Sequence, residues 1–542
     1  MTEVLLTVGL LTLAAVLWQL RRLSARLAEL ERRVNLPAVT LWLALAGAAS
    51  GHQPPAEVTP TANEALGLCL ADAERRTAEE AYHVRYLYLP RDDRERWWPL
   101  VNFHVNGLNR NPLIERVRPM LRSGGTLAWI DLRWYGWTPE MWEKLSTVEP
   151  YFQVKVRELQ AQVPVVRPLY WPGGVWPGDG KYYPPNSFTY FPNGQLAAPL
   201  RDTGKVYTAP GSPAVDGNIL AALATKTYTA APFVRADWFL WQTAQNQKRG
   251  NAGYYHFLGV KSRKDFDTIA GFDKNLARKA KVFDAADAVA TSTVTDQPRR
   301  LAVDAGLTGK VYESFDVREA LDKKNPLRNL NGFDFEATEF FVHLSSGMMA
   351  WGLADNKGTL QDAAPPDIAG DSTAHGPDKQ VHVGLSCVRC HGPHRGVQPI
   401  DGWVRGLEKD GISLTSEDYH KIGETAFRYR QALEPLLEEG RQRYERATLQ
   451  ATRGLGVADT SAAYGAAFAE YDRGKSLADA ARDLGVTPAR VVQALDGYRV
   501  RTQQLDLVLA AYLRKPPRPI PVIPYHEVFQ TMASIVKSEK LP

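Results

Sequence analysis

Phe340-Phe341-Val342-His343-Leu344-Ser345-Ser346-Gly347-Met348-Met349-Ala350-Trp351-Gly352-Leu353 is followed, after a stretch rich in Pro, Asp and Gly, by Ser386-Cys387-Val388-Arg389-Cys390-His391-Gly392. The first stretch reads as two short strands around a Ser-Ser-Gly turn, because aromatic and β-branched residues flank the turn residues on both sides. The second contains C-x-x-C-H, the attachment signature of a c-type haem. Two cysteines three apart on one helical turn can each form a thioether to a vinyl group of one porphyrin. The adjacent histidine then points its imidazole at the iron, so Cys387, Cys390 and His391 are expected to hold one covalent haem c. The other readings of C-x-x-C are a redox-active dithiol and half of a zinc site. A thioredoxin-like dithiol normally opens a helix inside a βαβ pattern, which these flanks lack. A four-thiolate zinc site needs a second C-x-x-C that is not present, and a Cys2His2 site using His391 and His394 is sterically awkward.

The second axial ligand of such a haem stays open at this level. Small soluble cytochromes c usually supply a methionine after the motif, and here the only one is Met532, near the C-terminus. Met348 and Met349 lie upstream and point to opposite faces if they belong to a strand, so at most one can reach the iron. His382 and His394 are close in sequence, as is His375, and bis-histidine ligation would give a lower potential than His/Met ligation. The remaining alternative is an iron with no protein ligand on that side.

Only three cysteines occur in 542 residues, which excludes a disulfide framework. Cys69, in the apolar run Leu66-Gly67-Leu68-Cys69-Leu70, reads as a buried, inert thiol. A net charge of +5 is too dilute over this length to predict nucleic-acid binding.

The N-terminus carries two apolar runs. Residues 4–20 are long enough to span a bilayer, and residues 36–51 end in Ala-Gly-Ala-Ala-Ser-Gly, like an export signal and its small-residue cleavage site. Between them Leu20, Leu23, Leu27, Leu30 and Val34 repeat at helical spacing among arginines. That stripe suits either self-association through residues 20–34 or a helix lying on the membrane surface. The arginines should stay cytoplasmic, so insertion of the second run as well puts the remainder on the periplasmic or extracellular side, where c-type haem is attached. Residues 1–52 are thus expected to form a membrane anchor and export region.

The fold class expected for the rest is α+β, predominantly helical and divided into several units. Residues 60–165 form an α+β unit with helical pattern over Ala71–Tyr88 and Trp97–Leu108 and a strand over Thr126–Leu132. Trp134, Trp137 and Trp142 are read as core. Residues 166–215 are a Pro/Gly/Tyr-rich loop. Residues 216–335 are read as helical, with helices over Asn218–Arg249 and Lys264–Ala290, and 336–412 as the haem-binding segment, its C-x-x-C-H preceded by the hairpin. Residues 413–515 form a helical C-terminal unit, in which Ser416–Arg453 is a long helix kinked by Pro435, and 516–542 are a tail. Within it, Ser476–Val492 has a helix-turn-helix pattern, but the segment is nearly neutral and a plain helical hairpin is expected.

The order of several short pieces resembles the large single-haem c-type cytochromes predicted from planctomycete genomes. They are Arg85-Tyr86-Leu87-Tyr88-Leu89, Asn102-Phe103-His104-Val105-Asn106-Gly107-Leu108, Ile130-Asp131-Leu132-Arg133-Trp134-Tyr135-Gly136-Trp137, Val234-Arg235-Ala236-Asp237-Trp238-Phe239, Tyr254-Tyr255-His256-Phe257-Leu258-Gly259-Val260 and His382 through His391. The resemblance implies an exported haem protein. Family members carry a Leu-Pro-Asn-Gly-Leu type turn where this chain has Leu344-Ser345-Ser346-Gly347-Met348. Three functions compete: an electron carrier working with a redox partner protein, a haem enzyme or gas or peroxide sensor with an open sixth site, and a surface structural protein whose haem is incidental.

Overall fold

The sequence Val84-Arg85-Tyr86-Leu87-Tyr88 is a strand, buried along its whole length, and not the end of a helix. The helical pattern before it breaks at Arg76, and Thr77 restarts it with a capping box to Glu80. The result is α1 (Ala62–Arg75), α2 (Ala78–His83) and β1 (Val84–Tyr88), followed by α3 (Arg94–Gly107). In this computed structural model the described residues are 60–158, 205–209, 214–246, 252–272, 286–290, 299–319, 334–371, 379–392, 434–453 and 460–539, with a few short stretches and single positions between them. Both N-terminal apolar runs, most of the Pro/Gly/Tyr-rich loop, His375 and His394 lie outside them. No helix among the described residues is long and apolar enough to cross a membrane.

The chain is α+β, with two principal sheets. The first has the order β2 (Arg118–Pro119), β3 (Leu127–Asp131), β1 and β4 (Phe233–Arg235), with β1 antiparallel to β3 and parallel to β4. The helix expected over Asn218–Arg249 is therefore two helices, α4 (Gly217–Thr227) and α5 (Ala236–Thr243), with β4 between them. Its break begins at Tyr228, whose left-handed backbone ends α4. Next come α6 (Tyr254–Leu258) and α7 (Arg263–Ala270), the latter stopped by Gly271 at φ 59°.

The second sheet is an antiparallel meander of β5 (Ala286–Ala290), β6 (Arg299–Gly306), β7 (Gly309–Asp316), β8 (Ala337–His343) and β9 (Met349–Asp355). Three of its strands come from residues 286–316, inside the segment read above as helical. Alternation in Arg299–Asp316 is masked by charged residues that are buried in pairs, so the hydrophobic period misreads it. The expected helix over Lys264–Ala290 likewise gives way to β5 at its end.

α8 (Leu385–Cys390) carries the Cys pair, and α9 (Glu434–Thr452), α10 (Thr460–Asp472), α11 (Leu477–Leu484), α12 (Pro488–Thr502) and α13 (Val522–Ser538) complete the C-terminal part. The kink expected at Pro435 falls at the edge of the described residues. α11 and α12 form a helical hairpin turning at Gly485, and Val491, Ala494 and Leu495 of α12 are buried. Thr59–Pro542 form one compact unit, whose main core cluster runs from Ala65 to Val536.

Edge strand β9 shows how the elements are locked. Its outward N–H groups at Trp351 and Leu353 donate to the hydroxyls of Tyr254 (2.9 Å) and Tyr255 (3.0 Å). Tyr255 in turn donates to the Gln361 carbonyl at 2.9 Å. The two tyrosines cap a sheet edge that would otherwise leave buried donors unpaired.

Candidate functional site

Registry decides what faces the Cys pair. Phe341 stands opposite Trp351 and His343 opposite Met349, while Tyr312 and Ser314 of β7 stand opposite Phe341 and Glu339. Strand alternation therefore puts Glu339, Phe341, His343, Met349 and Trp351 on one face of the second sheet. His391, just past the end of α8, lies against that face. Its ring is 5.7 Å from Trp351 in a stacked arrangement and 5.1 Å from Phe341. Phe340, on the other face, covers Gly352 and meets Phe266 of α7.

Cys387 is buried and Cys390 half-buried. The backbone N–H of His391 donates to the Cys387 carbonyl at 2.7 Å, so the two thiols and the imidazole share one helical turn. Burial, and after it the Glu339 charge, push the Cys387 thiol well above its usual range. α8 is pinned from three sides. Arg389 donates to Asp371 at 2.8 Å, Gly392 closes onto Ser461 of α10, and Gly384 closes onto the Ala244 carbonyl and the Tyr254 ring.

A cavity of about 20 Å3 lies beside Gly384 and Val388, at the start of this helix. Its wall includes Met349, Trp351, Tyr444, Phe103, His104 and Tyr464. The volume admits about one water molecule, and a mostly apolar wall of this kind tends to stay dry. Among the sequence candidates, Met349 is therefore the one brought to the cavity. Met348 packs away from it, with its sulfur 4.0 Å from the Thr448 hydroxyl of α9. His382 is half-buried, and its backbone N–H donates to Ser386 Oγ at 3.0 Å without the residue lining the cavity. Met532 is packed into the core on α13.

Two residues that sequence reasoning passed over stand out. His104 is buried in α3, with Nε2 2.6 Å from Thr243 Oγ1 and Nδ1 2.8 Å from the Tyr464 hydroxyl. Thr243 already donates to the Phe239 carbonyl, so it accepts from Nε2–H, and Nδ1 accepts from Tyr464. Burial pushes the His104 pKa down to about 3, and the ring is neutral. A histidine inside the apolar stretch Phe103-His104-Val105 was the available signal. The second is Glu339, buried on β8, with Oε1 3.7 Å from His391 Nε2. Its period-2 spacing with Phe341 was the signal for its position on the shared face.

Two thiols and one imidazole thus share one turn, set against an aromatic wall. Among the described residues no cluster of three or more His, Cys, Asp or Glu side chains is placed to hold a metal ion directly. Cys69 is fully buried in α1, its thiol pushed up by burial and by Asp72, far from any such role. Trp137 and Trp142 pack with Phe239 and Phe257 in the core, while Trp134, only partly buried, meets Trp129 at a tilt. No family model, curated protein or solved structure matches the chain.

Proposed function

We propose that the chain is an exported, N-terminally anchored mono-haem c-type cytochrome that acts in electron transfer on the periplasmic or extracellular side of the membrane, related to the planctomycete family it resembles. The observation that carries this reading is the shared helical turn of Cys387, Cys390 and His391, packed on the Trp351 and Phe341 rings. In this reading residues 336–412 are the haem-binding segment, with the β8–β9 hairpin as the wall against which His391 is held. A haem bound there supplies one-electron iron(III)/iron(II) chemistry, and its axial ligands and surroundings set the potential. The protein's part is to hold His391 in place and to exclude water with Trp351, Phe341 and Tyr444. A redox partner protein would take or give the electron at the exposed side of the turn, where Cys390 and His391 are only partly buried.

A second reading has the iron with an open site that binds oxygen, nitric oxide or peroxide, and the apolar wall of the cavity suits so small a ligand.

An optical spectrum of the purified membrane fraction tests both. A covalent haem surviving denaturation, with a pyridine adduct typical of two thioethers, is expected and is lost in Cys387→Ala with Cys390→Ala. A low-spin spectrum unchanged by carbon monoxide supports the carrier, and ready carbon monoxide binding overturns it in favour of the open site. A protein without covalent haem overturns both.

A further inference from the structure

We infer that the cavity beside α8 is a binding site for one apolar diatomic gas molecule, with dioxygen as the type, docked against the helix that carries the Cys pair. The site goes beyond the haem reading and does not depend on it, because its wall contains neither Cys387, Cys390 nor His391. Gly384 and Val388 supply the part of the wall that belongs to α8 and its start. Met349 and Trp351 of β9 and rings from α3, α9 and α10 supply most of the rest. A gas molecule held there touches Val388, which stands between the two cysteines of the motif, so the site concentrates the gas at that turn.

Size and polarity together select the ligand. A volume of about 20 Å3 has room for about one water-sized molecule, and a diatomic gas is nearly as narrow. Water itself is poorly served, because a buried water needs about two to four hydrogen-bonding partners. The polar side chains of this wall are largely engaged elsewhere. His104 is engaged at both nitrogens, by Thr243 and by Tyr464, and Tyr464 gives its proton to that contact. The Tyr254 hydroxyl takes the Trp351 N–H at 2.9 Å. What faces the void is mostly carbon, which offers an apolar molecule dispersion contacts and water little. The void is also kept from closing, because its rings brace one another. Trp351 lies 5.3 Å from Phe341 and 6.2 Å from Tyr444, and Phe103 lies 5.6 Å from Tyr464 and 6.4 Å from Tyr444. Glycine at 107 leaves the space unfilled from the α3 side, where an added Cβ meets nothing within 4 Å.

Methionine methyl groups report on the site. Dioxygen is paramagnetic and speeds the relaxation of nearby nuclei, an effect that falls steeply with distance. Met349 lines the cavity, whereas Met348 packs against Thr448 and Met532 is buried on α13. The purified full chain, with isotope-labelled methionine methyl groups, is compared by nuclear magnetic resonance under nitrogen and under pressurised dioxygen. Any haem is kept oxidised, so that iron does not take the gas. The relaxation that dioxygen adds at Met349 is expected to exceed that at Met348 and Met532 by about fivefold or more. Val388→Ile adds one methylene group to the wall, fills the space and should bring the Met349 effect down to that of Met348. Equal effects at the three methyl groups of the wild-type chain overturn the proposal, as does an effect at Met349 that Val388→Ile leaves unchanged. If Val388→Ile yields no folded protein, the wild-type comparison decides alone. A chain without covalent haem overturns the haem reading and leaves this measurement standing, so the two fail separately.

Discussion

Replacing Gly384 by alanine should dislodge the helix that carries the Cys pair. Gly384 stands at φ 80° and ψ −76°, and across it the Leu385 N–H donates to the Val383 carbonyl at 3.1 Å, a γ-turn. That backbone region is strained for any residue with a Cβ, at about 1–3 kcal/mol. The added methyl group would also press into the Ala244 carbonyl oxygen and stand 2.9 Å from Cδ2 of Tyr254. Neither neighbour yields easily. Ala244 is backbone at the end of α5, and the Tyr254 hydroxyl is held by the Trp351 N–H at 2.9 Å. Overpacking of this kind costs about 1–3 kcal/mol, so the two effects together amount to about 2–6 kcal/mol. Gly107, which lines the same cavity, is the control. A Cβ there meets nothing within 4 Å, so Gly107→Ala should be neutral or stabilising by up to about 0.5 kcal/mol. Urea unfolding followed by circular dichroism measures both, with haem content per chain measured alongside. Equal stability of the two variants, or loss of less than about 1 kcal/mol in Gly384→Ala, would refute the account of how α8 is held.

Gly352→Ala should destabilise for a different reason, because its methyl group would enter the Phe340 ring, which Phe266 and the Arg263 guanidinium hold from the other side. The cost is expected at about 1–3 kcal/mol and should shrink when Phe340→Leu is combined with it, a coupling that a double-mutant cycle reads directly. Tyr255→Phe leaves the buried Leu353 N–H without its acceptor and should cost about 1–3 kcal/mol in the same assay, with Tyr254→Phe doing likewise at Trp351. His343, whose pKa is pushed down to about 3 by burial and then by Arg443, binds its proton only in the unfolded chain between that value and the usual histidine range. Its contribution is therefore fully present above the unfolded value and is lost as pH falls, at about 1.4 kcal/mol per unit. His343→Leu should flatten the fall in urea stability between pH 6 and pH 4 by about that slope, and an unchanged slope would show the ring protonated in the folded state.

The α+β character, the strand at Leu127–Asp131 and the burial of Trp137, Trp142 and Cys69 were legible because each rests on a local pattern that packing reinforces. The sheet at Arg299–Asp316 was not, because its buried positions include Arg299, Glu313 and Asp316, and a sequence does not say which charges will be neutralised by pairing with a neighbouring strand or helix. The same blindness hid β1 behind the helix that precedes it, since Arg85 is wholly buried there and donates to the carbonyls of Tyr82 and Val84. The candidate site divides in the same way. The spacing of Cys387, Cys390 and His391 is covalent information and needs no fold to be read, whereas Met349 separates from Met348 only through the register that sets it opposite His343. Glu339 and His104 are further still from the motif, on β8 and α3, and their nearness to it exists only once sheet and helices close on one core. What the sequence motif specifies here is a Cys-Cys-His turn. The groups able to set its chemistry are supplied by tertiary contacts, and in each case the signal was a polar residue placed where an apolar one would have packed as well.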